Sequence, residues 1–257
     1  MVELIRISHL SFSYGKRTVL SKLNFSIGKG EFVGIIGPVG SGKSTLLFTM
    51  NGVIPHLISG NLEGQVIVCG MDTRKTKVSE LSKTVGIVLQ DPNSQIFSLR
   101  VWEEVAFALQ NRGLPREEIE RRVMKYLRLF GLASMKDQNP NNLSEGQKQK
   151  LTIASTLAME PEIILLDEPS SNLDFGSSAE LYRILRGLNR EGRTIIVVEH
   201  DTEMLLDNVK RILVVKDGSI KLDGPPKKVL SNPAIERYGL KVPCLLRKNL
   251  GYPKVNK

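Results

Sequence analysis

Four aliphatic residues followed by two acids, Ile163-Ile-Leu-Leu-Asp-Glu168, constrain the fold more than any other part of the chain. Such an aliphatic run predicts a short strand buried on both faces, as in a parallel sheet covered by helices. Asp167 and Glu168 then lie at the carboxyl end of that strand, the edge where open α/β sheets bind ligands. The structural alternative is that the acids only end the strand. That is common for one acid, whereas a pair between four aliphatic residues and a proline favours a functional role.

Strand-like and helical patterns alternate along most of the chain, which is typical of an α/β fold with parallel strands. The helical pattern dominates from residue 102 to 159, where Val101, Val105, Ala108 and Leu109 are expected to share one face. We therefore predict a mixed sheet flanked by helices, with antiparallel strands at the N-terminus and an inserted helical subdomain. The predicted strand segments are 4–8, 23–27, 31–36, 65–69, 85–89, 163–166, 194–198 and 211–215.

The predicted domain limits lie where the pattern changes. One domain spans residues 1–238, with a sheet core at 1–90 and 160–238 and the helical subdomain at 91–159. Residues 239–257 are predicted to form a basic C-terminal tail.

The tail accounts for much of the positive charge. The net charge is +9, of which +5 comes from Lys241, Arg247, Lys248, Lys254 and Lys257. We interpret the tail first as a solvated segment, second as a segment near an anionic membrane surface and third as a nucleic-acid contact. Aromatic residues do not interleave with the basic ones in a binding stripe, so nucleic acid is not an expected partner.

The composition sets outer limits on the class of protein. The 257 residues are 41% hydrophobic, which is ordinary for a globular chain. No apolar run approaches the roughly 18 residues that cross a bilayer. Cys69 and Cys244 have no metal-like spacing, so we expect a reducing compartment and no disulfide framework. These features indicate a soluble or peripheral protein.

A glycine-rich segment after an apolar strand fits the phosphate-loop pattern G-x-x-x-x-G-K-[ST]. Glycines let backbone N–H groups approach an anion, and the start of the following helix adds a favourable dipole. Lys43 is then expected to reach the β- and γ-phosphates of a nucleotide, and Ser44 to bind Mg²⁺. This motif alone does not separate kinases, GTPases, helicases and transport ATPases. Its residues are Gly37, Pro38, Val39, Gly40, Ser41, Gly42, Lys43, Ser44 and Thr45.

The two acids complement this loop. Asp167 is expected to orient Mg²⁺ through water. Glu168 is expected to polarise the attacking water as a general base. The pattern therefore predicts a site that hydrolyses a nucleoside triphosphate.

Further motifs, in order along nearly the whole chain, resemble those of the ATP-binding cassette (ABC) ATPases. They are Tyr14, Gln90, the signature Leu143-Ser-Glu-Gly-Gln147, the D-loop Ser171-Asn-Leu-Asp174 and His200. The resemblance implies a nucleotide-binding core of the P-loop NTPase type that binds ATP and Mg²⁺. It also implies that the signature residues Ser144, Gly146 and Gln147 contact the ATP of a second ABC subunit.

The same resemblance assigns roles to three single residues. Tyr14 stacks on adenine, Gln90 meets Mg²⁺ and senses the membrane partner, and His200 contacts the γ-phosphate. Taken singly, Tyr14 also fits a strand-end aromatic residue and His200 a satisfied polar group at a strand end.

Further segments, around Gln90 and elsewhere, make the family resemblance more specific. Residues 90–97 (QDPNSQIF), 101–107 (VWEEVAF) and 51–57 (NGVIPHL) are similar to the ATPases of energy-coupling factor (ECF) transporters. These importers take up vitamins and cobalt or nickel ions. The resemblance implies an integral membrane coupling protein that docks at Asp91–Phe97 and a membrane subunit that binds the solute. The polar residues from Asp91 to Gln95 would line the docking groove. The structural alternative for Asp91 is a helix cap in a proline turn.

One residue departs from the family signature, which usually reads LSGGQ and here has Glu145. The spacing of Ser144 and Gln147 predicts a capping box at a helix start. A glutamate at the first helical position suits the helix dipole but is repulsive close to a bound phosphate. Either Glu145 points into solvent, or the ATP site built on this signature is the weaker of two. The second outcome fits a heterodimer with a paralogous ATPase, which we favour over a homodimer.

The sequence therefore predicts the ATPase subunit of an ECF-type importer, peripheral to the cytoplasmic face of the cell membrane. The alternatives are the ATPase of another ABC transporter type and an ABC ATPase that acts on nucleic acid. The absence of a second cassette or sustained heptads in the sequence disfavours the latter.

Overall fold

Ten strands, eleven α-helices and three short 3₁₀ helices are present in residues 2–247, the part of the chain that this computed structural model describes. The strands are β1 (Glu3–Tyr14), β2 (Arg17–Gly28), β3 (Phe32–Ile36), β4 (Asn61–Val68), β5 (Met71–Asp72), β6 (Val85–Val88), β7 (Ile163–Asp167), β8 (Thr194–Val198), β9 (Arg211–Lys216) and β10 (Ser219–Gly224). The helices are α1 (Lys43–Met50), α2 (Val53–His56), α3 (Val78–Leu81), α4 (Val101–Asn111), α5 (Arg116–Leu129), α6 (Glu145–Ala158), α7 (Phe175–Arg190), α8 (Thr202–Asn208), α9 (Pro226–Leu230), α10 (Ala234–Arg237) and α11 (Cys244–Arg247). None of the described helices is both long and apolar enough to cross a membrane.

The strands form two sheets. A six-stranded sheet has the order β10-β9-β3-β8-β7-β6, in which only β10 pairs antiparallel to its neighbour. A four-stranded antiparallel sheet has the order β2-β1-β4-β5. The predicted mixed sheet with antiparallel N-terminal strands is thus confirmed. The carboxyl ends of β3, β8, β7 and β6 meet at one edge, which becomes important for the site.

The central strands are buried on both faces because the inserted helices with α7 and α8 cover one side, and α1 with the antiparallel sheet covers the other. In β7 all five residues are buried. Its side chains alternate between two apolar clusters: Ile164 and Leu166 belong to the first, and Ile163 and Leu165 belong to the cluster that contains α1 and the antiparallel sheet. The continuous aliphatic run therefore reflects contact with apolar residues above and below.

The inserted helices α4, α5 and α6 pack on one another between β6 and β7 in the chain. Val101, Val105 and Leu109 are fully buried in this layer, as predicted. Ala108 lies on the same face, two turns after Val101, and is partly buried. The helix also buries a second stripe, which includes Ala106.

The chain after α10 remains attached to the domain. Leu240, Val242 and Leu246 are buried in the apolar cluster on the helical side. Thr202 Oγ1 donates a hydrogen bond to the carbonyl of Lys241 at 2.9 Å. The described part of the predicted tail thus packs beside α8, whereas Lys248, Lys254 and Lys257 lie outside the described residues.

Candidate active site

The phosphate loop connects β3 to α1 with little space for side chains. A Cβ on Gly37 would lie 2.0 Å from the carbonyl oxygen of Val215. Gly42 has φ 99°, and its Cβ would also collide with the neighbouring strand β2. The glycines at both positions are therefore required by close backbone contacts.

Lys43 is the buried cation of this loop, with only 5% of its surface exposed. Its Nζ donates hydrogen bonds to the carbonyl oxygens of Gly37 at 2.9 Å and Pro38 at 3.0 Å. Burial lowers the pKa of Lys43 from its ordinary value, and the nearby carboxylates of Glu168 and Asp167 oppose that shift. The two carbonyl contacts curl the side chain back over the loop.

The start of α1 has the properties of an anion site. Gly42 occupies the N-cap position, where no side chain of residues 2–247 caps the free N–H groups. Ser41 Oγ is buried and, within the same described range, has no hydrogen-bond partner. A phosphate at this helix N-terminus would satisfy these donors and interact favourably with the helix dipole.

Three polar side chains from neighbouring strand ends converge beside the loop. Gln90 follows β6, Glu168 follows β7 and His200 follows β8. Gln90 Nε2 donates to Glu168 Oε2 at 2.9 Å, and His200 Nε2 lies 2.7 Å from Glu168 Oε1. The Glu168 carboxylate is therefore contacted through both of its oxygens by residues from the two neighbouring strand ends.

Asp167 provides a buried carboxylate next to these groups. Only 4% of its surface is exposed, and Oδ1 has no hydrogen-bond partner among the described residues. Burial raises the pKa of Asp167 from its ordinary value, while the neighbouring Ser44 hydroxyl lowers it. An orphaned carboxylate oxygen beside a hydroxyl fits a hard divalent cation that takes further oxygen ligands from phosphate. Residues 2–247 contain no cluster of three or more His, Cys, Asp or Glu side chains arranged for a metal, so Mg²⁺ would depend on such phosphate oxygens.

A cavity of about 550 Å³ joins the phosphate loop, Gln90, Glu168 and His200. Tyr14 lines it and is 38% exposed; its hydroxyl lies 3.3 Å from Thr45 Oγ1. Arg17 and Val19 also line it, although sequence reasoning missed both. The sequence did contain a signal for Arg17: Gly15 indicates a tight turn, and such a turn pairs Arg17 with Tyr14 across the hairpin.

Most of the remaining phosphate-loop residues line the same cavity. Val39, Gly40, Gly42, Lys43, Ser44 and Thr45 line it directly. Gly37 and Pro38 contribute the carbonyl oxygens that bind Lys43. The signature residues Ser144, Gly146 and Gln147 lie elsewhere, at the first turn of α6.

Comparisons with known proteins agree with this geometry. The family model described as ABC transporter matches residues 20–171. An ABC transporter ATP-binding protein of Pyrococcus abyssi is 46% identical over 255 residues, which is 98% of this chain and 90% of that protein. The chain belongs to the ABC transporter family. It is an ATP-binding subunit of that family and an ATPase.

Two solved ABC structures share the fold. One is cbiO1 of Clostridium perfringens, part of the ABC transporter complex cbiONQ, with a TM-score of 0.81 and 31% identity; the match covers 97% of this chain and all of that one. The other is the dimeric ATP-binding cassette MJ0796 in a post-hydrolysis state with ADP and Pi. It has a TM-score of 0.77 and 31% identity, and covers 87% of this chain and 99% of that one.

The ABC signature forms the capping box that its spacing predicts. Ser144 Oγ accepts a hydrogen bond from the Gln147 N–H, and the Gln147 side chain accepts one from the Ser144 N–H. Ser144 is exposed, and Gly146 is partly exposed. The helix N-terminus of this ABC subunit therefore faces outward, away from its own cavity residues.

Glu145 carries the unusual charge of this signature at the first position of α6. It is exposed, yet it is not free in solvent: Lys148 Nζ lies 2.8 Å from Oε1, and Asn93 Nδ2 donates to Oε2 at 3.1 Å. These two contacts lower the pKa of Glu145 from its ordinary value. The cation of Lys148 offsets part of the negative charge that Glu145 adds to the signature.

Proposed function

We propose that this ABC ATPase is the ATP-hydrolysing subunit of an ECF-type importer at the cytoplasmic face of the cell membrane. It would couple ATP binding and hydrolysis to the uptake of a vitamin or a transition-metal ion through membrane partner subunits. The observation that carries the proposal is the segment Asp91–Phe97, whose sequence resembles ECF ATPases and whose surface suits a membrane partner. The likeness to cbiO1, part of a transporter complex, supports it.

The two ends of the docking segment present different chemistry. Asp91 is exposed and caps the short turn Pro92–Ser94, because its Oδ1 accepts from the Asn93 N–H at 2.9 Å. The cap that we considered as the structural alternative is therefore present. The cap leaves one carboxylate oxygen of Asp91 for an arginine of the coupling protein.

The other end of the segment is aromatic. Phe97 is 61% exposed and stands edge-on to Phe107 with ring centroids 4.6 Å apart. The buried Glu104 fixes this end by accepting hydrogen bonds from the Phe97 and Ser98 N–H groups. A partner helix with an arginine near one end and apolar residues near the other would match this surface.

Gln95 departs from the predicted docking surface. Its side chain accepts from the Leu89 N–H at 2.7 Å and donates to the Ile87 carbonyl at 3.2 Å. The expectation that Gln95 lines the groove is corrected, because its amide satisfies backbone groups at the end of β6. This contact instead fastens the docking segment to the strand that leads to Gln90.

The mechanism assigns each step to residues of this chain. Lys43 and the N-terminus of α1 bind the phosphates of ATP, and Tyr14 stacks on the adenine. Ser44, Gln90 and Asp167 would hold Mg²⁺, which supplies positive charge to the phosphate oxygens. Glu168 orients the attacking water, and His200 holds the γ-phosphate. Because no covalent intermediate is involved, positioning and electrostatic stabilisation supply most of the rate.

A second ABC subunit completes each site in this proposal. The outward-facing N-terminus of α6 would present Ser144, Gly146 and Gln147 to the ATP of the neighbour. We propose a heterodimer with a paralogous ATPase, since Glu145 weakens the composite site that contains it. The pairing of Glu145 with Lys148 reduces this weakening without removing it, because the carboxylate stays at the helix start.

Replacing Asp91 by asparagine tests the docking surface. Asparagine keeps the capping oxygen and removes only the charge. We expect Asp91→Asn to lower the amount of integral membrane protein that co-purifies with the tagged chain from native membranes at least about tenfold, because an exposed Asp91 that pairs with arginine in the complex would lose an interfacial charge pair. Solute uptake should fall in parallel. The control is Asp207→Asn, an exposed acid on α8. Unchanged co-purification and uptake in Asp91→Asn would leave Asp91 as a cap alone.

Glu145 and Lys148 provide a test of the heterodimer. In the purified chain without a paralogue, Glu145→Gly should raise ATPase activity about two- to fivefold, and Lys148→Met should lower it by a similar factor. This small factor is typical of a single solvent-exposed charge interaction, which water screens. The double variant should match Glu145→Gly, because Lys148 acts through Glu145. A homodimer with full activity that Glu145→Gly does not change would refute the heterodimer.

A further inference from the structure

Glu168 has a backbone conformation that side chains other than glycine rarely adopt. Its φ is 49°, in the left-handed region, directly after the regular strand β7. Such a residue persists only where surrounding contacts fix its backbone, and these residues cluster at functional sites. The Glu168 N–H donates to the Val198 carbonyl at 3.0 Å, and its own carbonyl accepts from Ser171 at 3.1 Å. These backbone bonds hold the turn at its two ends.

A buried side-chain bond lies immediately beside this turn. Ser170 Oγ donates to Glu199 Oε1 at 2.7 Å. Glu199 is only 3% exposed, and its N–H donates to the Ile35 carbonyl at 3.1 Å. Glu199 therefore links the turn after β7 to both β8 and β3, the strand that leads into the phosphate loop.

The buried bond runs parallel to the exposed one between His200 and Glu168. Both connect the loop after β7 to the end of β8, and His200 directly follows Glu199. The contact between Glu168 and His200 and the contact between Ser170 and Glu199 have different roles in the proposed mechanism. In the proposed mechanism Glu168 and His200 turn toward water and the γ-phosphate. Ser170 and Glu199, in contrast, are not among the residues that line the cavity. The buried bond can therefore stay in place while the exposed one opens.

Burial of a carboxyl group costs free energy unless hydrogen bonds compensate, because desolvation disfavours its charged form. Burial raises the pKa of Glu199 to about 7, even though the Ser170 hydroxyl lowers it. The carboxyl group supplies an acceptor for the Ser170 hydroxyl, and the Tyr182 hydroxyl and the Ser170 and His200 N–H groups also lower its pKa. A leucine would remove this acceptor, whereas a neutral glutamine could still accept from Ser170.

We propose that Glu199 is a positioning residue for ATP hydrolysis, which acts through Ser170 to fix the left-handed turn that aims the Glu168 carboxylate. The inference rests on the proposed role of Glu168 as the group that orients water. The competing explanation is a buried polar pair that only stabilises the fold.

Three variants distinguish these explanations in the ATP-hydrolysing assembly purified with the tagged chain. Ser170→Ala and Glu199→Leu should each lower kcat at least about tenfold while KM for ATP stays within about twofold, because a misplaced group impairs the chemical step more than binding. Glu199→Gln should restore at least about half of the wild-type kcat. The double variant Ser170→Ala/Glu199→Leu should be no slower than Glu199→Leu, since Ser170 acts through its contact with Glu199.

Wild-type kcat in folded Ser170→Ala, or a Glu199→Gln variant as slow as Glu199→Leu, would overturn the proposal. Thermal unfolding identifies a variant that fails to fold. If Glu199→Leu fails to fold, the kcat of Ser170→Ala alone tests the proposal. Glu168→Gln is assayed in parallel. If Glu168→Gln is inactive and Ser170→Ala is normal, only the positioning role fails. If Glu168→Gln hydrolyses ATP normally, the proposed role of Glu168 itself fails.

Discussion

Replacing Lys43 by methionine is expected to raise the Kd for ATP about 100-fold or more. Methionine keeps most of the apolar stem and removes the buried cation that would meet the β- and γ-phosphates. Loss of one member of a buried charge pair costs about 2–5 kcal/mol, and about 2.8 kcal/mol corresponds to 100-fold. Titration calorimetry with ATP on the purified protein measures this change directly.

The matched control for Lys43→Met is Lys228→Met, an exposed lysine on α9. It should bind ATP with the wild-type Kd. ADP and inorganic tripolyphosphate should lose affinity in Lys43→Met together with ATP, because all three present phosphate to the same loop. A Kd within about threefold of wild type would exclude Lys43 as the main phosphate ligand.

Replacing Glu168 by glutamine should impair hydrolysis and leave ATP binding intact. We expect turnover to fall at least about 100-fold, since a positioned general base contributes about 10²–10⁴ to a rate. ATP binding should stay as tight or become tighter, because a negative charge is removed beside the γ-phosphate. Gln90 and His200 would still surround the new side chain, so its position changes little. Phosphate release under saturating ATP measures the loss.

Glu191→Gln is the control for this acid. Glu191 is exposed in the turn between α7 and β8, and its neutralisation should leave turnover unchanged. The contrast between Lys43→Met and Glu168→Gln separates binding from chemistry within one cavity. The first variant should lose both functions, and the second should lose hydrolysis alone.

Local sequence patterns predict the central elements of this site because each pattern has one physical cause. The aliphatic run before Asp167 corresponds to β7, which is buried on both faces. The spacing of Ser144 and Gln147 gives the capping box at the start of α6, because that geometry involves only neighbouring backbone groups. Such short-range features can be predicted without knowing what packs against them.

Long-range contacts could not be predicted in the same way. Gln95 looks like a surface residue in sequence, but the free backbone groups at the end of β6 draw it inward. Glu199 looks like part of a polar strand end, yet it is buried by residues far away in sequence. In each case the deciding partner lies on another element.

Glu145 likewise has some properties that the sequence shows and others that only the structure shows. Its identity as a departure from the family signature is visible in sequence, and so is its conflict with a phosphate. Its pairing with Lys148 and Asn93 is visible only in the structure. Through Asn93, these contacts connect the first turn of α6 to the segment Asp91–Phe97.

The nucleotide recovered from Glu168→Gln protein after incubation with Mg²⁺ and ATP tests the central claim most directly. The bound nucleotide is extracted from the washed protein and separated by chromatography. If Lys43 and the phosphate loop bind ATP while Glu168 orients the water, Glu168→Gln should retain intact ATP. The wild-type protein should yield ADP under the same conditions. Recovery of ADP from Glu168→Gln at the wild-type rate would contradict the account.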